Sequence, residues 1–149
     1  MSFYDLPKDK RVKLVQKIEQ EIQESLENND IVSLRKYFSD KDTYIRKTAY
    51  LAVGKIYFVH QTLKQKILNI LHELFQDEDE KVRQTVVNAL GEIAKKEADK
   101  TFTLFEKAIF DKHHIVRNAV IGSLKKIGEK NPKPVLFFAK KFLHHSNPE

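Results

Sequence analysis

The sequence predicts an all-α chain of stacked helix pairs, and three observations predict it. Gly and Pro number only four each in 149 residues, while Leu, Lys, Glu, Ile, Gln and Ala dominate; strands and tight hairpins need more turn formers than that. One pattern recurs three times without gaps, at offsets of 37 and then 34 residues. A short apolar run precedes each copy, so the repeating unit is a pair of helices.

The recurring pattern is an Asp, a β-branched residue five later, an Arg six later, a small residue twelve later and an Ile sixteen later. It reads Asp40, Ile45, Arg46, Ala52, Ile56; then Asp77, Val82, Arg83, Ala89, Ile93; then Asp111, Val116, Arg117, Ser123, Ile127. In the first copy Ile45, Ala49, Ala52, Val53 and Ile56 share one helical face. These second helices of the pairs, about 43–58, 79–96 and 112–128, are expected to line a concave wall, because Ala49, Ala52, Ala89 and Ser123 permit close stacking. The first helices are the apolar runs Ile31 to Phe38, Ile67 to Phe75, Phe102 to Phe110 and Val135 to Leu143. One hairpin cannot bury its own apolar face, whereas stacked hairpins bury each other's.

The elements follow in order. A capping helix over about 8–28 places Val12, Val15, Ile18, Ile22 and Leu26 on its inner side and charge on the other. Repeats occupy about 30–58, 61–96 and 98–129, and an incomplete fourth covers 131–149, all within a single domain. Gly128 is expected to end its helix as the residue past the C-cap, and Pro132 to start the next. Thirty-four residues on from Val116 the next β-branched position would be 150, beyond Glu149, so the helix around Val135, Leu136, Phe138, Ala139, Phe142 and Leu143 is expected to lack a hairpin mate. It is expected to expose an apolar patch, as a piece of a longer protein would, or to bury that patch in self-association.

The repeats resemble the HEAT-like family, whose fold is a right-handed α–α superhelix, over roughly residues 30–149. That resemblance implies a structural ladder in which Asp40, Asp77 and Asp111 pair with Arg46, Arg83 and Arg117 of their own or neighbouring repeats. A carboxylate near a helix N-terminus and a bidentate Arg suit each other on physical grounds as well. A second resemblance rests on Leu124-x-x-x-Gly128-x-Lys130-Asn131-Pro132-x-x-Val135-Leu136. This string is similar to the C-terminal repeats of bacterial HEAT-like DNA alkylation-repair glycosylases, which bind duplex DNA in a basic groove. Those enzymes work with Trp rings and an Asp; this chain has no Trp, and Gly122 aligns where such a ring tends to stand.

Charge points the same way. Residues 1–111 hold 19 Lys/Arg and 19 Asp/Glu, whereas residues 112–149 hold 8 and 2, so the whole formal charge of +6 lies in the last quarter. Lys112, Lys125, Lys126, Lys130, Lys133, Lys140 and Lys141, with Arg117, are the candidate phosphate contacts to nucleic acid, duplex DNA first. The bland reading of the same residues is a solvated, Lys-rich surface.

No nucleophile–base pair, phosphate loop or dinucleotide fingerprint is present, so no catalytic residue, cofactor or metal is assigned. A glycosylase is the one enzymatic reading considered. The pairs His113-His114 and His144-His145 read as exposed loop residues, since neighbours on a loop rarely converge on a metal. Phe102, Phe105, Phe110, Phe137, Phe138 and Phe142 read as core. With no Cys, no disulfide or thiolate site can form. The N-terminus is no signal peptide, and no run suffices to cross a membrane, which gives a cytoplasmic expectation. The function expected first is a non-enzymatic binding scaffold with a protein partner; the alternative is a nucleic-acid-binding solenoid using the basic C-terminal part.

Overall fold

The computed structural model describes residues 2–145, with side chains through residue 141. The described residues form eight α-helices and no strand: α1 (Lys8–Asn28), α2 (Ile31–Phe38), α3 (Thr43–Val59), α4 (Lys64–Leu74), α5 (Glu80–Glu97), α6 (Phe102–Ala108), α7 (His114–Lys130) and α8 (Pro132–His145). Short 3-10 turns cover Phe3–Asp5, Gln61–Leu63 and Ala98–Lys100. None of these helices is long and apolar enough to cross a membrane.

The long helices α1, α3, α5 and α7 stack side by side as one layer, and the shorter even-numbered helices pack behind them. Ile18, Ile22, Leu34, Phe38, Val53, Ile67, Leu71, Val86, Leu90, Phe105, Val116 and Val120 interleave from both layers into one continuous core. Glycine sets the spacing of the front layer. A Cβ on Gly54 would stand 2.6 Å from Glu92 Cβ, and one on Gly91 would stand 2.5 Å from Ser123 Oγ, so α3, α5 and α7 approach closer than larger residues would permit.

The links between helices use short, specific chemistry. Asn29 ends α1 in the left-handed region at φ 58°, the one non-Gly residue among those described to do so, and its N–H donates to Ser25 C=O. Asp30 caps α2 by accepting from Ser33 N–H at 3.1 Å. Buried Thr85 on α5 donates to Phe38 C=O or Lys81 C=O, at 2.9 and 2.7 Å, which ties the second repeat to the end of α2.

Three expectations are corrected here. Gly128 lies inside α7, which runs on to Lys130; its extended C-cap is Asn131 at φ −147°. The helix is stopped by Pro132, which disfavours helical backbone at the residue before it and opens α8. Val12 is 50% exposed, because six residues of helix rotate it about 120° away from Ile18; Leu14 packs on the core instead. Phe110 and Phe137 are 63% and 62% exposed, while Phe105 and Phe138 are buried. The side chain of Phe142, like those of Leu143, His144 and His145, lies outside the described residues.

Candidate interaction surfaces

The loop before each long repeat helix is the same hydrogen-bonded device three times over. The first Asp accepts the backbone N–H two residues on: Asp42 N to Asp40 at 2.8 Å, Asp79 N to Asp77 at 2.9 Å and His113 N to Asp111 at 2.9 Å. That second residue then caps the helix. Asp42 accepts from Tyr44 N–H, Asp79 from Lys81 N–H, and His113 Nδ1 from Ile115 N–H at 3.2 Å. The Arg reaches back to the carbonyl of the first Asp, from Arg46, Arg83 and Arg117 at 2.6, 2.9 and 2.6 Å. His113 therefore stands where the other repeats have Asp, as a cap with Glu80 3.7 Å from its Nε2, and it is half-buried rather than an exposed loop residue.

Bridges between repeats are less regular than the loops. Arg83, 5% exposed, donates Nε and a terminal nitrogen to the Asp111 carboxylate of the next repeat at 2.9 and 3.1 Å, and also reaches Glu78 C=O. One repeat earlier the corresponding acceptor, Asp77, is held by Arg35 of α2 at 2.6 and 3.1 Å. Arg46 is confined to its own loop, where it also meets Lys41 C=O and Thr43. The Arg35 hydrogen bonds hold the Asp77 carboxyl below its ordinary value. At Asp111 burial opposes the charge, but the bonds from Arg83 and His113 N–H outweigh it and the carboxyl is again lowered.

At the opposite ends of the same helices, Tyr57 O–H donates to Glu97 at 2.8 Å and Lys64 Nζ to Glu97 at 2.5 Å. Lys64 also lies over the Tyr57 ring, 5.0 Å from its centroid. The Glu97 carboxyl is lowered, first by the Lys64 bond.

The seven candidate lysines are all exposed and divide among several surfaces. Lys141 pairs with Glu106 on the back layer at 2.6 Å. Lys133 enters a groove of about 390 Å³ with Lys95, Lys96, Asn131, Phe102 and Phe137, in which the two Phe rings stack at 6.2 Å. Lys126 enters a different groove of about 390 Å³ between α5 and α7, where Gln84 and Asn88 face Asn118, Gly122 and Ser123. Lys112 precedes α7, Lys125 and Lys130 lie along it, and Lys140 lies on α8. The amides of the α5–α7 groove were not singled out from sequence. The available signal is their register: Gln84 and Asn118 each follow the repeat Arg, 34 residues apart.

A double layer of helix pairs, cross-linked at its loops and open along its front face, defines a HEAT-type helical scaffold. Residues 13–137 match the sequence model of the family described as non-SMC mitotic condensation complex subunit 1, and the chain belongs to that family. No curated protein and no solved structure matches it. The resemblance to alkylation-repair glycosylases gains no support from these comparisons.

Proposed function

We propose that the chain is a non-enzymatic HEAT-repeat scaffold that docks protein partners on the front face of its odd-numbered helices. One observation carries the reading: Arg83 and Asp111 lock that face into a fixed register while its grooves stay open to solvent. The family description, which names a complex subunit, agrees with a protein partner. Cross-linking mass spectrometry on the tagged chain, isolated with its partners, tests the reading. Cross-links should fall on lysines of α3, α5 and α7, such as Lys47, Lys55 and Lys126. Links confined to the back layer, or a chain that emerges alone, refute it.

A second reading has its own observation. Lys95, Lys96 and Lys133 line, with Asp99, the groove that holds the stacked Phe102–Phe137 pair, Lys95 also pairing with Glu92; a cationic groove with exposed rings suits a nucleic-acid backbone with an unstacked base. Under this reading Lys112, Lys125, Lys126, Lys130, Lys133, Lys140 and Lys141 add phosphate contacts of the kind the alkylation-repair resemblance implies. A duplex DNA mobility shift at low salt that collapses at moderate salt supports it, and no shift at low salt removes it. Self-association through α8 is a third element, motivated by Leu136 and Phe137, each more than 60% exposed. Solution scattering that gives a monomer at all concentrations excludes it.

A further inference from the structure

Gly122 has no packing reason to be glycine. It stands mid-helix in α7, where Gly is less favourable than Ala. No Gly among the described residues has positive φ. A Cβ at Gly54 or Gly91 would collide with the next helix, but one at Gly122 would meet nothing within 4 Å. Leu51 and Asn88 occupy the same register position in α3 and α5. The missing side chain leaves open the floor of the α5–α7 groove.

The walls have a matching chemistry. His114, Asn118, Gly122 and Lys126 follow one another every four residues along α7, and Gln84 and Asn88 do so on α5. Among the described residues, no hydrogen bond or ion pair takes up the side chains of Gln84, Asn88, Asn118 or Lys126. Some exposed amides elsewhere are taken up, Gln20 by Glu24 and Gln65 by Asn69, while others such as Gln16 and Gln23 are not; what sets this groove apart is that four uncommitted polar side chains converge on one glycine. A primary amide both donates and accepts, as a peptide group does. Four helical residues advance about 6 Å, close to the roughly 6.7 Å between alternate residues of an extended chain. No carboxylate lines the groove, and Lys126 closes one end.

We infer that the α5–α7 groove binds an extended peptide segment bearing an acidic side chain. The backbone runs over Gly122 between Gln84, Asn88 and Asn118, and the carboxylate meets Lys126. This deepens the protein-scaffold reading and rests on it. A displayed random-peptide library, selected on the whole chain, supplies the probe, and fluorescence anisotropy measures the selected peptides. Selection should enrich peptides with Asp or Glu. Gly122→Leu should weaken them at least tenfold, as should Asn88→Ala combined with Asn118→Ala, and Lys126→Glu should reverse the acidic preference. Gly122→Leu should melt no lower than the parent, because Leu51 is already accommodated at that register in α3 and Leu is the better helix former. Peptides that bind Gly122→Leu as tightly as the parent overturn the inference, as does a selection that enriches nothing over an unrelated helical protein. Duplex DNA competing for the groove in place of peptide overturns it too. In each case partner cross-links elsewhere on α3 or α5 leave the scaffold reading standing.

Discussion

Replacing Arg83 with Ala should be the most damaging of the three repeat-Arg substitutions, and its cost can be worked from the contacts. The side chain is 7% exposed and makes four hydrogen bonds, two to the Asp111 carboxylate and two to loop carbonyls. Its removal leaves Asp111, whose side chain is 7% exposed, with a buried charge held only by His113 N–H. Breaking one side of such a pair costs about 3–5 kcal/mol. For a chain of this size that lowers Tm by roughly 10 °C or more. Arg46→Ala removes bonds to carbonyls and a hydroxyl from a half-exposed residue, worth about 1 kcal/mol. Arg83→Lys should rescue little, since an ammonium cannot span both carboxylate oxygens and two carbonyls. Chemical denaturation of the single variants and of Arg83→Ala with Asp111→Asn closes a double-mutant cycle, whose coupling should reach about 2 kcal/mol. An Arg83→Ala variant that melts with Arg46→Ala would refute the view that Arg83 bridges repeats.

Three further outcomes are expected. Gly54→Ala should destabilise by about 1–2 kcal/mol, because its Cβ would meet Glu92 Cβ at 2.6 Å, whereas Gly122→Ala should stabilise by about 0.5–1 kcal/mol; thermal melts of the two should move in opposite directions. The Asp77 and Asp111 carboxyls titrate below their ordinary value of 3.8 in the folded chain, so the unfolded chain takes up protons first. Their stabilisation is complete above that value and is lost as pH falls through the lower folded values, so the denaturation midpoint should drop below about pH 4, and less steeply in Asp111→Asn. Tyr57→Phe leaves the buried ring and the Lys64–Glu97 pair in place and removes one hydrogen bond; a cost of about 1 kcal/mol is expected on urea denaturation.

The fold was legible because its signals are local and repeated. The small and β-branched positions face inward at helical spacing, and the Asp–Arg pair marks each loop, so α2, α3, α5 and α7 lie within a few residues of expectation. The Gly128 error has a local cause: Pro132 decided the boundary, and the glycine three residues upstream of Asn131 did not. The bridges were less legible. Arg35 meets Asp77 across 42 residues, and nothing in the register marks Arg35, since the longer 37-residue offset falls between those two repeats. Phe110 and Phe137 looked like core because periodicity reports a face and not whether a neighbour covers it. The amide groove was hidden for a related reason. Asn88 and Asn118 read as ordinary solvated positions until α5 and α7 are laid side by side.

The distribution of bridges and of buried side chains also says how the front face is held. On the near side of α5, Arg35 of α2 holds Asp77 in the loop before it, and Tyr57 of α3 with Lys64 of α4 meets Glu97 at its far end. Between α5 and α7 the loop edge is tied by Arg83–Asp111. The far edge of α5 gives instead onto the open groove around Lys95, Lys96 and Asn131. At that end Ile93 and Ala94 of α5 and Ile127 of α7 are buried, and Gly91 lies against Ser123 in the middle of the seam, so the two helices cannot part without exposing core. The α5–α7 seam is therefore held by its packing as well as by its loop bridge. It is also the seam that carries the uncommitted amides and the glycine floor. If a peptide docks in that groove as inferred, few side chains are ordered by it, since short amides lose less rotamer freedom than long charged ones, and the packed α5–α7 seam keeps the groove walls at their spacing without it.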